Sequence, residues 1–191
     1  MFFNLKKTII AAILALSLLS LYFGSYIPWT RSRAFIRGLR GMNKIKSVAN
    51  FKNLFEPALR RNVIGDEETF KYLAGEILKI ISQEDTTENV SLELINFIKP
   101  YHSENNVRHL MSMGDMHYIL WRKNMNPEYF NQAEQFYLKA KEAGPKLPPP
   151  LYMLLTLYQN GFETEKAKDI ARYILSLWPD DQKVQAFIDS K

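Results

Sequence analysis

The chain has 191 residues, 47% of them hydrophobic and 24% charged, which suits one modest domain with an attachment and excludes a wholly disordered protein. It contains no cysteine, so disulfides, thiolate metal sites and cysteine nucleophiles are excluded. The net charge is uneven: residues 1–61 carry +10, residues 62–104 carry −6 and residues 105–191 carry +1. The basic character therefore belongs to the first third, and we expect no nucleic-acid binding by the folded part.

Residues 1–30 are predicted to be an N-terminal segment with a transmembrane anchor. No charged residue occurs from Thr8 to Thr30, and about 20 apolar helical residues suffice to cross a bilayer core. Three aromatic residues (Tyr22, Tyr26 and Trp29) stand at the end of this segment, where their rings suit the headgroup layer. We therefore expect residues 8–29 to form one membrane helix in contact with lipid.

A cleaved signal peptide is the alternative, because Lys6 and Lys7 precede the apolar run. Small residues are poorly placed for cleavage, since the −3 positions before Gly24 and Ser20 are aromatic or large. An uncleaved anchor is the preferred interpretation.

Residues 31–46 form a basic juxtamembrane segment. Its candidate membrane-surface residues are Arg31, Arg33, Arg37 and Arg40. One interpretation is an amphipathic turn that contacts anionic lipid. The preferred one is a solvated basic flank, because Gly38 and Gly41 disfavour a helix.

The side of the membrane is left open by two opposed patterns. The excess of Lys and Arg after the apolar segment favours a cytoplasmic domain. A short basic start followed at once by an apolar run is typical of signal anchors, which export the domain that follows. The second pattern gives a slight preference for an extracytoplasmic domain on a single-pass protein.

The remainder is predicted to be all-α, with about eight helices, since apolar residues recur at i, i+3 and i+4. Residues 47–104 are interpreted as degenerate helical pairs. Their apolar positions are Val48, Phe51, Leu54 and Phe55, then Phe70, Leu73, Ile77, Ile80 and Ile81, then Leu92, Ile95 and Ile98. Asp66 is expected to cap the second of these helices, and Thr86 or Thr87 the third.

A longer helix is expected after Asn106, with Leu110, Met113, His117, Leu120 and Trp121 on its inner side. Asn126 should cap the next helix, with Pro127 in its first position. Two more helices are predicted at residues 151–160 and 163–177. Residues 180–191 should form a C-terminal capping helix that begins at Asp180 or Asp181.

Residues 105–179 contain a repeat. Ala133 and Ala167 are 34 residues apart, and so are Pro145 and Pro179. A helix–turn–helix unit of this period resembles the tetratricopeptide repeat family. The matching positions are Leu110, Met113, Gly114, Ala133, Tyr137, Ala140 and Pro145 in the first unit, and Leu151, Leu154, Tyr158, Ala167 and Pro179 in the second. The resemblance implies two repeats within a right-handed helical-hairpin domain.

Several positions depart from the repeat pattern. Leu155 replaces a small residue, Ala171 an aromatic residue and Ile174 an alanine. Gly161 comes one position early, and the first unit is about seven residues too long.

A second, looser resemblance is to the C-terminal tail of bacterial O-antigen ligase or polymerase-type membrane proteins. It rests on the basic flank after a membrane helix, the degenerate helix pairs and the segment that begins at Val107. The many membrane helices that carry glycan transfer in that family are missing, so the activity cannot be carried over.

The sequence gives no sign of an enzyme, a cofactor or a metal site. His109 and His117 are two helical turns apart, which is too far for one metal. The acidic group that begins at Asp66 is explained by a helix start. No glycine-rich phosphate loop or nucleophile motif is present.

The first helices of the two repeats are expected to line a groove for a protein partner. The candidate groove residues are Arg108, Met111, Asp115, Tyr118, Tyr152, Thr156 and Gln159. Repeat proteins that capture a peptide C-terminus place lysine and asparagine in such positions, so that mode of binding is not expected here.

The sequence thus predicts a membrane-anchored scaffold for protein–protein interaction, without catalysis of its own. One alternative is an accessory or detached tail of an O-antigen ligase-type glycan assembly protein. Another is a membrane-tethered chaperone-like factor.

Overall fold

The computed structural model describes residues 2–42, 45, 47–59 and 65–190. Within these ranges the protein is helical and has no strand, which confirms the all-α prediction. The helices are α1 (Phe2–Leu21), α2 (Ile27–Gly41), α3 (Val48–Phe55), α4 (Asp66–Ile81), α5 (Glu88–Ile98), α6 (Val107–Asn124), α7 (Pro127–Ala143), α8 (Pro148–Asn160), α9 (Thr164–Leu177) and α10 (Gln182–Asp189). Two 3₁₀ turns, Glu56–Ala58 and Lys99–Tyr101, follow α3 and α5.

Three helix starts follow the predicted caps, whereas Asp66, predicted as a cap, lies inside the first turn of α4. Asn126 accepts a hydrogen bond from the backbone N–H of Glu128 at 2.9 Å. Of the two threonines before α5, Thr87 is the cap, and of the two aspartates before α10, Asp181 is the cap. Each of these side chains satisfies a backbone donor that the first helical turn leaves unpaired.

The first helix is long and apolar enough to span a membrane. A π-helical turn, Tyr22–Tyr26, joins α1 to α2, so that one continuous helix runs over Lys6–Gly41. None of the residues in its most apolar window is buried within the protein.

The chain divides into two compact units, Met1–Phe70 and Lys71–Lys191. In the first unit, α2 packs against α3 and the 3₁₀ turn. A Cβ atom built on Gly38 would lie 2.6 Å from a ring carbon of Phe55, and one on Gly41 would lie 3.1 Å from Leu54. The expectation that these glycines disfavour a helix here was wrong, since both lie in α2. The close packing of α3 on α2 explains why glycine stands at both positions.

The second unit contains the repeat region. Helices α6 and α7 pack together, as do α8 and α9, while α7 packs on α8 and α10 packs on α9. The five residues predicted for the inner side of α6 are all buried. In α5, Leu94 is buried together with Ile95 and Ile98, whereas the predicted Leu92 is only half-buried.

Candidate functional site

The candidate groove is built on α6 and α8, which the fold brings into contact. At the C-terminal end of α8, the side-chain amide of Asn160 donates a hydrogen bond to the hydroxyl of Tyr118 on α6 at 2.7 Å. The two helices that carry the predicted groove residues Tyr118 and Gln159 therefore lie side by side. Asn160 was missed by sequence reasoning, since nothing in its local pattern distinguishes it from a polar helix end.

Asp115 is tied to the second helix of its own pair. The hydroxyl of Tyr137, on α7, donates to Oδ1 of Asp115 at 2.7 Å. Burial raises the pKa of Asp115 above its ordinary value, although the hydrogen bond from Tyr137 acts in the opposite direction. The pKa of Tyr137 is raised as well, first by burial and then by the nearby carboxylate. Asp115 thus links α6 to α7 through one of its carboxylate oxygens.

Tyr152 and Thr156 also have partners within the protein. The hydroxyl of Tyr152 donates to the carboxylate of Asp181, the cap of α10, and its ring lies 6.5 Å from that of Trp178. This hydrogen bond is the main reason why the pKa of Asp181 lies below its ordinary value. Thr156 donates to the backbone carbonyl of Tyr152 at 2.8 Å. Tyr152 therefore connects α8 to the C-terminal helix.

Three of the predicted groove residues remain accessible to a partner. Arg108 and Gln159 are exposed and Met111 is half-buried. None of their side chains forms a hydrogen bond or an ion pair with another residue in the described part of the chain. A cation, a thioether and an amide are thus available on the two helices, with the half-buried ring of Tyr118 in addition.

The four arginines of α2 fall into two groups. Arg31 is only 6% exposed, and its Nε and Nη2 donate to the carbonyl oxygen of Ala58 at 3.1 and 3.0 Å. Arg33, Arg37 and Arg40 are exposed. Arg31 therefore attaches α2 to the 3₁₀ turn, and the other three remain candidates for the membrane surface.

The three histidines lie on α6 or shortly before it. His109 accepts a hydrogen bond from the backbone N–H of Ser103 at 3.0 Å, and His102 packs edge-on against Phe136. His117 is buried, and its ring stacks on the ring of Phe136 with 5.5 Å between the two centroids. In the described ranges no group of three His, Asp or Glu side chains could hold a metal ion.

Comparison of the chain with family models, with curated proteins and with solved structures found no match. A function must therefore be inferred from the described side chains and their packing. These residues form a long exposed apolar helix with arginines at its end and a helical unit with an accessible polar and aromatic face.

Proposed function

We propose that the protein is a single-pass membrane protein that displays a tetratricopeptide-like helical unit as a scaffold for a protein partner. The observation that carries the proposal is the combination of one fully exposed apolar helix with a separately packed helical unit. An exposed apolar helix of this length is costly in water and stable in a bilayer. A protein with this arrangement holds its second unit near a membrane.

The packing in the second unit supports the repeat-like arrangement. A Cβ atom on Gly114 would lie only 2.4 Å from a ring carbon of Tyr137, too close for any side chain, and Ala133 and Ala167 are buried at the repeat positions. Small residues at these places let paired helices approach closely, which is the physical reason for the repeat pattern. The contact of α6 with α8 supports a surface formed by the first helices of the two pairs.

The accessible residues Arg108, Met111 and Gln159 are the proposed contacts for the partner. Interface cores are enriched in arginine, methionine and aromatic side chains, and a few side chains carry most of the binding energy. Because these three side chains form no hydrogen bond or ion pair within the described residues, their removal should affect a partner more than the fold.

The test is recovery of the partner with the full-length protein from native membranes, followed by identification by mass spectrometry. The triple variant Arg108→Ala, Met111→Ala and Gln159→Ala should reduce recovery of the main partner at least tenfold, roughly the loss of one strong interface residue. A matched control changes three exposed residues on α7, Asn131→Ala, Gln135→Ala and Glu142→Ala, and should retain the partner. Equal recovery with both triple variants would contradict the proposed surface.

A second variant separates the scaffold from the alternative of an accessory tail for a glycan ligase-type protein. Replacement of residues 8–29 by an unrelated membrane helix should leave the partner bound if the second unit recognises it. If the replacement loses a multi-spanning partner that the triple variant keeps, recognition resides in the membrane helix and the scaffold proposal is wrong.

A further inference from the structure

One face of α2 packs against other residues of the protein. Arg31 donates to the carbonyl oxygen of Ala58, and the ring of Phe35 lies 5.8 Å from that of Phe55. Gly38 packs against the same phenylalanine. Residues 31, 35 and 38 share a helical face, so this face is covered by α3 and the turn that follows it.

The opposite face carries a row of exposed arginines. Arg33, Arg37 and Arg40 are spaced by four and three residues and therefore share a face, about 200° around the helix from Arg31. Arg37 and Arg40 form no ion pair with any residue that the structure describes. Arg33 lies over the ring of Trp29, with 4.7 Å from its guanidinium carbon to the ring centroid. The row thus presents uncompensated positive charge.

The arginine row continues a series of aromatic rings along the helix. Tyr22 and Tyr26 stack with 5.7 Å between centroids, and Tyr26 and Trp29 are 6.2 Å apart. All three rings are exposed at the end of the apolar segment. Tryptophan and tyrosine rings in such places lie at the level of the lipid headgroups, which sets Trp29 at the membrane interface.

Distance along the helix then decides which arginines can reach lipid phosphate. With a rise of about 1.5 Å per residue, the Cα atoms of Arg33, Arg37 and Arg40 lie about 6, 12 and 16 Å beyond Trp29. The headgroup layer is roughly 5–8 Å thick on each side of the core. Side chains on a helix lean toward its N-terminus, which here is toward the bilayer, so Arg33 and Arg37 can reach this layer. Arg40 lies about one Debye length outside it at physiological salt.

We propose that Arg33 and Arg37 form a binding site for the phosphate of anionic phospholipids in the leaflet next to Trp29. Guanidinium groups donate paired hydrogen bonds to phosphate oxygens, and two of them on one face can hold one headgroup. Arg31 has a structural role in the same helix, and Arg40 contributes little because of its distance. The site rests on the proposed membrane span.

The test uses the full-length protein in vesicles of phosphatidylcholine with a minor fraction of phosphatidylglycerol. The measurement is the relative association of spin-labelled phosphatidylglycerol and spin-labelled phosphatidylcholine with the protein. The double variant Arg33→Gln and Arg37→Gln should lower the preference for phosphatidylglycerol about tenfold or more, since each basic residue near an anionic surface contributes about fivefold. Arg40→Gln should change it less than twofold.

A matched control removes two exposed charges far along the chain, Arg122→Gln on α6 and Lys146→Gln before α8, and should keep the preference. If the double variant keeps it, or if Arg40→Gln lowers it as much as the double variant does, the site is refuted. All variants should still float with vesicles of phosphatidylcholine alone. If the wild-type protein itself does not float with them, the membrane span fails and the lipid site fails with it.

Discussion

His117 is a buried titratable group that the proposed function does not use. Its ring lies nearly parallel to that of Phe136, and its Nδ1 has no hydrogen-bond partner in the described part of the chain. Burial lowers the pKa of His117 from 6.5 to about 4, and the positive charge of Lys99 acts in the same direction. The folded protein therefore holds this imidazole neutral at physiological pH.

This pKa predicts a loss of stability in mild acid. The unfolded chain binds a proton near pH 6.5 and the folded chain only near pH 4, so the free energy of unfolding falls as the pH drops through that window. The full effect of the shift is about 3 kcal/mol. Chemical unfolding of the detergent-solubilised protein from pH 7 to pH 4 measures it.

The control for this prediction is a comparison of the pH dependence of unfolding between variants. His117→Phe keeps a ring against Phe136 and should remove this part of the pH dependence, whereas His102→Asn should retain it. Asp115 has a raised pKa and titrates with the opposite sign, but it is present in all three proteins and cancels in the difference. An unchanged acid slope in His117→Phe would contradict the assignment.

Single residues show where sequence reasoning ends. Gly161 stands one position early for the repeat pattern, and close packing explains a glycine at this position: a Cβ atom there would meet the ring of Phe130. The next residue, Phe162, takes the left-handed conformation that a glycine would favour, with φ of 59°, and is 88% exposed. Partners far along the chain, such as Phe130 for Gly161 and Tyr137 for Asp115, cannot be found from local patterns because they depend on how helices pack.

At the scale of helices, glycines that face aromatic rings let neighbouring elements approach closely. Gly38 faces Phe55, Gly114 faces Tyr137 and Gly161 faces Phe130. In each case the ring occupies the space that any larger side chain would need. Gly75, in the middle of α4, has no neighbouring atom within 4 Å of a Cβ position and provides a natural comparison.

Substitution by alanine should have opposite effects at a glycine that faces a ring and at one with open space around it. Gly114→Ala should destabilise the second unit by roughly 1–3 kcal/mol, because the methyl group displaces the ring of Tyr137 from a packed position. Gly75→Ala should stabilise α4 by roughly 0.5–1 kcal/mol, since glycine is costly inside a helix and the methyl group meets no obstacle. Thermal unfolding followed by circular dichroism distinguishes them. A melting temperature that rises with both substitutions would contradict the packing of Gly114.

Helix existence and helix starts were largely predictable, because both follow from local chemistry. Apolar spacing located α3 to α7, and capping side chains such as Asn126 and Thr87 located their first turns. The helix over residues 31–41 was not predicted, since two glycines oppose it locally and only contact with α3 explains them. The groove was predicted as a set of residues on α6 and α8, and its division into bonded and accessible side chains required the structure.

At the scale of the whole molecule, apolar surface is distributed in two different ways. In the second unit the apolar side chains are buried against one another, for example Leu110, Met113 and Leu154. In α1 the leucines and isoleucines are about half exposed or more, including Leu14 and Leu18. Water disfavours such a surface, which supports the proposed membrane span.

The last prediction concerns attachment through this helix. The wild-type protein should remain with membranes through an alkaline carbonate wash, and its intact mass should include residues 1–30. Leu14→Arg with Leu18→Arg should abolish this attachment, because an arginine near the centre of a membrane helix costs roughly 2.5–3.5 kcal/mol. Met125→Arg with Phe162→Arg adds the same charge at exposed apolar sites of the second unit and should leave attachment intact. A wild-type protein that washes off, or whose mass lacks the apolar segment, would exclude an anchor and favour a cleaved signal peptide.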